Sequence, residues 1–168
     1  EVENSNFTCK DLIIGRQDDS YASSFRLSGP RANLAITPSK LSRYPLFTAG
    51  SGHEFVLDGA TWHHSDINLR FDVAAENCTL RLENGAVFVT DGGFYSGTNS
   101  AHSCGNTFHV GDGASFTGQF IRISRCDNSV VVSNGCCVLL SEADSRNTGL
   151  RIGDQLDNVS EIGGNSLI

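Results

Sequence analysis

The stretch from Asn106 to Ser124, NTFHVGDGASFTGQFIRIS, limits what this chain can become more than any other. Phe108 and Val110 alternate with polar neighbours, Gly113-Ala114 makes a corner, Phe116 opens a second edge, and Ile121 and Ile123 alternate on a third. Period-two alternation marks a strand with one buried face, so the stretch predicts three short strands and two turns. Degenerate copies fill the chain. Small residues after a turn fall at Ala32, Ala60, Ala86, Ala114 and Cys136, and two residues past each stands Leu34, Trp62, Phe88, Phe116 or Val138. Ahead of the corners lie Phe25/Leu27, Phe55/Leu57, Leu80/Leu82, Phe108/Val110 and Val130/Val132. Behind them lie Phe47/Ala49, Leu69/Phe71, Phe94/Ser96, Ile121/Ile123 and Leu150/Ile152. Leu12-Ile13-Ile14-Gly15 matches a third strand, and Val159 to Ile168 reads as a new first strand with its corner at Gly163-Gly164.

The period of about 22 to 30 residues falls in the range of repeat architectures. One such unit cannot bury its apolar side alone, whereas stacked units can, each column residue resting on the next copy of itself. The predicted fold is all-β, a parallel β-solenoid of about six coils with three short strands each. At roughly 4.8 Å per coil it makes a rod on the order of 30 Å long. A β-sandwich also shows many short strands, but it gives no reason for columns that hold across five units. The long segments after Gly15, Leu34 and Val138 read as loops bulging from the wall.

The length, 168 residues, suits a single domain spanning 1–168. A formal net charge of −7 excludes a general nucleic-acid binder, which needs a basic footprint. No run of 18 apolar residues occurs, so no membrane-inserting helix is expected. The chain opens at Glu1 without a methionine or an apolar leader, which fits a removed signal or an excised piece. EIGGNSLI at the other end stops inside a repeat, and solenoids need capped ends. The reading is therefore a module of a longer chain. Its exposed coil ends invite end-to-end self-association.

Candidate functional residues come from the columns. The outward column of the third strand reads Ile13, Thr48, Arg70, Tyr95, Arg122, Arg151. Guanidinium groups suit bidentate recognition of carboxylate or sulfate, and tyrosine can stack on a sugar. Arg70, Tyr95, Arg122 and Arg151 thus form a candidate stripe for an acidic polysaccharide. The alternative is that the arginines pair with nearby carboxylates such as Asp72, Asp91, Asp127 and Asp154. Six cysteines stand at 9, 78, 104, 126, 136 and 137, without a CxxC spacing that would point to zinc. Stacking would bring Cys104 and Cys126 to about 5 Å, within disulfide reach, with a reduced pair as the alternative. Cys136, in the alanine column, reads as a small buried residue and Cys137 as outward-facing. Trp62 reads as core packing. Adjacent His63 and His64 point to opposite faces, and no third ligand accompanies them, so no metal or cofactor is expected. Asn77, Asn106, Asn128 and Asn158 each precede a first strand and could stack as an amide ladder. Asn6-Phe-Thr8, Asn77-Cys-Thr79 and Asn158-Val-Ser160 also match the glycosylation sequon.

The repeated sentence NxxxVxxGAxF, with Gly or Ser ending the third strand, resembles right-handed parallel β-helices. These include the pectin-lyase-like superfamily and the passenger regions of bacterial autotransporters. The resemblance implies the right-handed form of the solenoid, and a disulfide among the cysteines would fit an extracellular or cell-surface location. Hydrolases of that class carry Asn-Thr-Asp, Asp-Asp, Gly-His-Gly and Arg-x-Lys elements along one wall. Here Asn106-Thr107 is followed by Phe108, Asp18-Asp19 lies in a loop, Gly52-His53 is followed by Glu54, and Arg122-Ile-Ser124 and Arg43-Tyr-Pro45 lack the lysine. The sequence therefore leads to a non-enzymatic secreted or surface module, a spacer or an adhesin-like surface that contacts glycans, with no catalytic residues assigned. The alternative is a polysaccharide lyase or glycoside hydrolase of the pectin-lyase-like kind.

Overall fold

The computed structural model describes residues 2–9, 12–15, 22–37, 50–65, 68–70, 75–96, 103–123, 127–140, 149–152 and 166–168. The strands within them, in chain order, are β1 (Val2–Glu3), β2 (Asn6–Cys9), β3 (Ser24–Ser28), β4 (Asn33–Ile36), β5 (Glu54–Asp58), β6 (Thr61–His64), β7 (Asn68–Arg70), β8 (Thr79–Glu83), β9 (Val87–Thr90), β10 (Gly93–Ser96), β11 (Thr107–Gly111), β12 (Ser115–Gly118), β13 (Phe120–Ile123), β14 (Ser129–Ser133), β15 (Cys136–Leu139), β16 (Gly149–Ile152) and β17 (Ser166–Leu167). No helix occurs among the described residues, hence none long and apolar enough to cross a membrane, which says nothing of a β-barrel.

The strands form three parallel sheets. The first runs β1-β3-β5-β8-β11-β14-β17, the second β2-β4-β6-β9-β12-β15, and the third β7-β10-β13-β16. Neighbours in every sheet come from successive turns of the chain, so the fold is a parallel β-solenoid. Four turns hold all three strands among the described residues, β5-β6-β7 through β14-β15-β16. This is fewer than the six three-stranded coils read from the sequence. The expected third strand at Phe47/Ala49 lies outside the described residues, and at Leu12–Gly15 only Ile14 makes a bridge.

Register confirms most of the columns. Phe55, Leu80, Phe108 and Val130 stack on the inner face of the first sheet, beside Leu57, Leu82, Val110 and Val132, and Leu167 pairs in register with Val130. Leu34, Trp62, Phe88 and Phe116 stack in the second. Phe94 and Ile121 stack in the third, in register with Leu69 on one side and Leu150 on the other. Trp62 is fully buried, its ring stacked on Phe88 at 4.1 Å and 10°. A relay of ring contacts runs from Phe25 through Phe55, Trp62, Phe88, Phe116 and Phe108 to Phe94. The core reading of Trp62 is thus correct.

Both corners of the first strand are lined by left-handed residues. At its end, Asn4, Gly29, Gly59, Asn84, Asp112 and Asn134 hold φ between 47° and 95°. Before it, Ala22, Gly52, Asn77, Gly105 and Asp127 hold φ between 47° and 72°. Glycine, asparagine and aspartate are the residues that tolerate this region. Their amides link coils: Gly59 donates to the Glu83 carbonyl at 3.0 Å and Gly85 to that of Asp112 at 2.9 Å.

Two expectations fail by register. The corner between β11 and β12 has three residues, 112–114, but that between β14 and β15 has two, 134–135, so Cys136 pairs with Ser115 and Cys137 with Phe116. A one-residue shift turns every side chain over. Cys137 therefore enters the core column, while Cys136 and Val138 are exposed, the reverse of the sequence reading. Gly135 takes the alanine position, where a Cβ would fall 2.6 Å from the Val110 carbonyl oxygen. At the far end, Leu167 rather than Val159 continues the Val130 column, because β17 comes after Gly163-Gly164.

Candidate functional site

The four residues of the proposed stripe do form one column. Tyr95 pairs with Arg70 on one side and Arg122 on the other, and Arg122 pairs with Arg151. The column is not an open one at its centre, however. Tyr95 is 6% exposed and Arg122 9%. Phe120, itself buried, meets the Tyr95 ring edge-on at 4.8 Å, and the Arg122 guanidinium carbon lies 6.0 Å from that ring's centre. Tyr95 and Arg122 are therefore packed groups, and a glycan lying on the surface would not reach them without displacing cover. Alternation reveals which residues leave the inner core. It does not reveal that the second face of this sheet is also covered.

The exposed chemistry stands elsewhere, on the outer face of the first sheet. Arg26 reaches across two coils, with one guanidinium nitrogen 2.5 Å from Asp58 and 3.0 Å from Glu83. Asn84 donates to the other Asp58 oxygen at 2.7 Å, and Arg81 pairs with Glu54 at 3.1 Å. Asn84 and Arg26 hold the Asp58 carboxyl below its ordinary range, and Asp58 in turn raises Arg26. These charges were not singled out from the sequence. The signal was present in the alternation of β3, β5 and β8, whose outward positions include Arg26, Glu54, Asp58, Arg81 and Glu83.

A third constellation is buried, at the entrance to the first sheet. Asn106 Oδ1 accepts the Cys78 amide at 2.9 Å, and Asn128 Oδ1 accepts the Asn106 amide at 2.9 Å. Asn106 Nδ2 donates to the Ala75 carbonyl at 3.2 Å and to Ser103 Oγ at 3.3 Å, while Asn128 Nδ2 donates to the Ser103 carbonyl at 2.9 Å. Both asparagines are fully buried. The expected amide ladder exists at these positions and fails at Asn77. Asn77 is exposed in the left-handed corner column, and Cys78 takes its place in the ladder. Asn158 lies outside the described residues. Next in the column, His53 Nδ1 accepts the Ser23 amide at 3.1 Å.

Burial pushes the thiols of Cys78 and Cys137 up to about 11. Cys104 is disulfide-bonded, and Cys126, its expected partner, lies outside the described residues. His63 is exposed, 3.7 Å from Asp91, whereas His64 is buried edge-on against Trp62. Among the described residues no three His, Cys, Asp or Glu side chains gather as a metal site would require. No protein-family model, no curated protein and no solved structure matches the chain.

Proposed function

We propose that the chain is a non-enzymatic β-solenoid module of a secreted or surface protein, acting as a rigid spacer. The observation that carries this reading is the use made of the carboxylates on the exposed wall. Asp58, Glu83 and Glu54 are tied to Arg26 and Arg81 across coils. A general acid needs a carboxyl raised toward neutral pH, whereas Asp58 is held low. These groups bind coil to coil, as the buried asparagines do from inside. The disulfide at Cys104 is in keeping with an oxidising compartment. Burial of Tyr95 and Arg122 favours the spacer over a stripe that contacts acidic glycans.

The test is incubation with a panel of neutral and acidic polysaccharides, following polymer length by size-exclusion chromatography alongside a retention assay. The spacer reading expects neither shortening nor retention. Shortening of any polymer would overturn it in favour of a carbohydrate-active enzyme. Retention without shortening, lost in Arg122→Ala while the fold is kept, would return the contact role to the arginine column.

A further inference from the structure

Asn77-Cys-Thr79 matches the acceptor sequence for N-linked glycosylation, and neither the salt-bridged wall nor the core makes use of its asparagine. The competing use of such a residue is visible at Asn106 and Asn128, both fully buried, whose Oδ1 atoms accept amides of neighbouring coils. Register keeps Asn77 out of that ladder. It stands one residue before Cys78, in the corner column ahead of the first strand, and it is exposed. Its backbone amide donates to the Cys104 carbonyl at 2.9 Å and so holds the corner. Its side-chain amide has no hydrogen bond among the described residues.

The neighbours along the column make room. Gly52 stands on one side and Gly105 on the other, both left-handed, so the column offers no side chain for one coil in either direction, roughly 5 Å each way. Asn77 Oδ1 occupies the place that a Cβ on Gly105 would take, and Nδ2, the atom that receives the sugar, lies farther off than Cγ. Strands β5 and β11 flank β8 on its two sides, so this corner is interior to the stack. The other acceptor sequence among the described residues, Asn6-Phe-Thr8, has its asparagine within strand β2.

We propose that Asn77 is a site of N-linked glycosylation and that the corner carries the oligosaccharide in the folded protein. The inference rests on the reading of the chain as part of a secreted or surface protein. The donor is an oligosaccharide on a lipid diphosphate. A bond forms between Asn77 Nδ2 and the anomeric carbon of the first sugar. The bond from that carbon to the diphosphate oxygen breaks, the lipid diphosphate leaves, and Nδ2 gives up one proton. Thr79, whose hydroxyl completes the acceptor sequence, is half-buried in β8 and paired on both sides, with Glu54 and Thr107. Transfer therefore precedes closure of the coil. The attached glycan leaves the amide ladder in place, since none of its bonds passes through the Asn77 side chain.

The experiment places the full chain behind a cleavable secretory signal in a eukaryotic cell that glycosylates asparagine. Glycans are released enzymatically in heavy-oxygen water, which marks each former site as heavy aspartate, and the peptide containing residue 77 is read by mass spectrometry. Asn77 should be marked in most molecules of the wild type and of Thr79→Ser, which keeps the acceptor sequence. It should be unmarked in Thr79→Ala, which keeps the asparagine. Release should proceed on native protein without denaturant, and the urea midpoint should be the same before and after it. Where the chain stays in the cell, the signal-cleaved intracellular fraction is mapped instead. Retention then counts against the secreted reading, and occupancy of Asn77 still decides the proposal. An unmarked Asn77 in the signal-cleaved wild type, a mark that survives Thr79→Ala, or a marked Asn77 found only in aggregated protein would each overturn it.

Discussion

Replacing Asn106 with alanine tests what holds successive first strands together. The side chain accepts one hydrogen bond and donates two, all inside the protein. Each bond contributes about 1 kcal/mol net, and a buried donor left unmade costs about 1 to 3 kcal/mol more. In Asn106→Ala the Cys78 amide is that stranded donor. The loss should therefore come to about 4 to 6 kcal/mol, a large part of the roughly 5 to 15 kcal/mol that stabilises a domain. With a urea slope of about 2 kcal/mol per molar, the midpoint should fall by about 2 to 3 M at unchanged slope. The single tryptophan, Trp62, is buried in the ring stack and reports unfolding by fluorescence, with circular dichroism as the second probe. The control is the neighbouring residue on the opposite face. Thr107 shares a half-buried hydroxyl contact with Ser129 at 3.1 Å, so Thr107→Ala should cost less than about 1 kcal/mol. Asn128 Oδ1 accepts from the Asn106 backbone amide, which alanine retains. Coupling in a double-mutant cycle with Asn128→Ala therefore passes only through Ser103, which both side chains bond, and should be no more than about 0.5 kcal/mol. An Asn106→Ala loss no larger than that of Thr107→Ala would refute the reasoning, and packing alone would then account for the stack.

Further outcomes follow from the same structure. Arg122→Ala should destabilise by about 1 to 3 kcal/mol in urea unfolding, because it removes a buried group from beside Tyr95, whereas an exposed arginine would cost within about 0.5 kcal/mol. Alkylation at neutral pH should modify the exposed Cys136 first and leave Cys78 and Cys137 intact until unfolding, since burial lifts both thiols to about 11. Peptide mapping of a timed reaction checks the order, and early labelling of Cys78 would contradict its burial. For Asp58 the folded pKa lies below the unfolded one, so as pH falls the unfolded chain takes up the proton first. The stabilisation from Asp58 is complete above the unfolded value and is lost as pH falls through the folded one. Stability measured across the acid range should therefore decline less steeply in Asp58→Asn than in the wild type.

The asparagine ladder shows how far residue patterns reach. Four asparagines ahead of first strands suggested stacking, and Asn106 and Asn128 stack as expected. Asn77 does not, because the position is set by distance from the strand. Thr79 pairs with Thr107, which puts Cys78 opposite Asn106 and leaves Asn77 one residue early, in the corner. The salt-bridge wall was equally readable in principle, since every member sits at an outward position of an alternating strand. Which of those charges meet depended on the reach of Arg26 across two coils.

The sequence by itself determined the stack of parallel coils. Alternating apolar pairs separated by small corner residues recur in register, which stacked coils bury column upon column and a sandwich gives no reason for. It also determined that Trp62 and the phenylalanines face inward, because alternation assigns each strand its two faces. Tertiary structure alone decided the rest. The last corner is one residue shorter than the one before it, and the run of β15, Cys-Cys-Val-Leu, is apolar on both faces. No alternation marks which face goes in, so only pairing with β12 sent Cys137 to the core and Cys136 to the surface. Tyr95 and Arg122 were likewise correctly placed outside the inner core. Their burial depends on cover over the second face of their sheet, and a repeat pattern encodes only how a coil meets the coils above and below it.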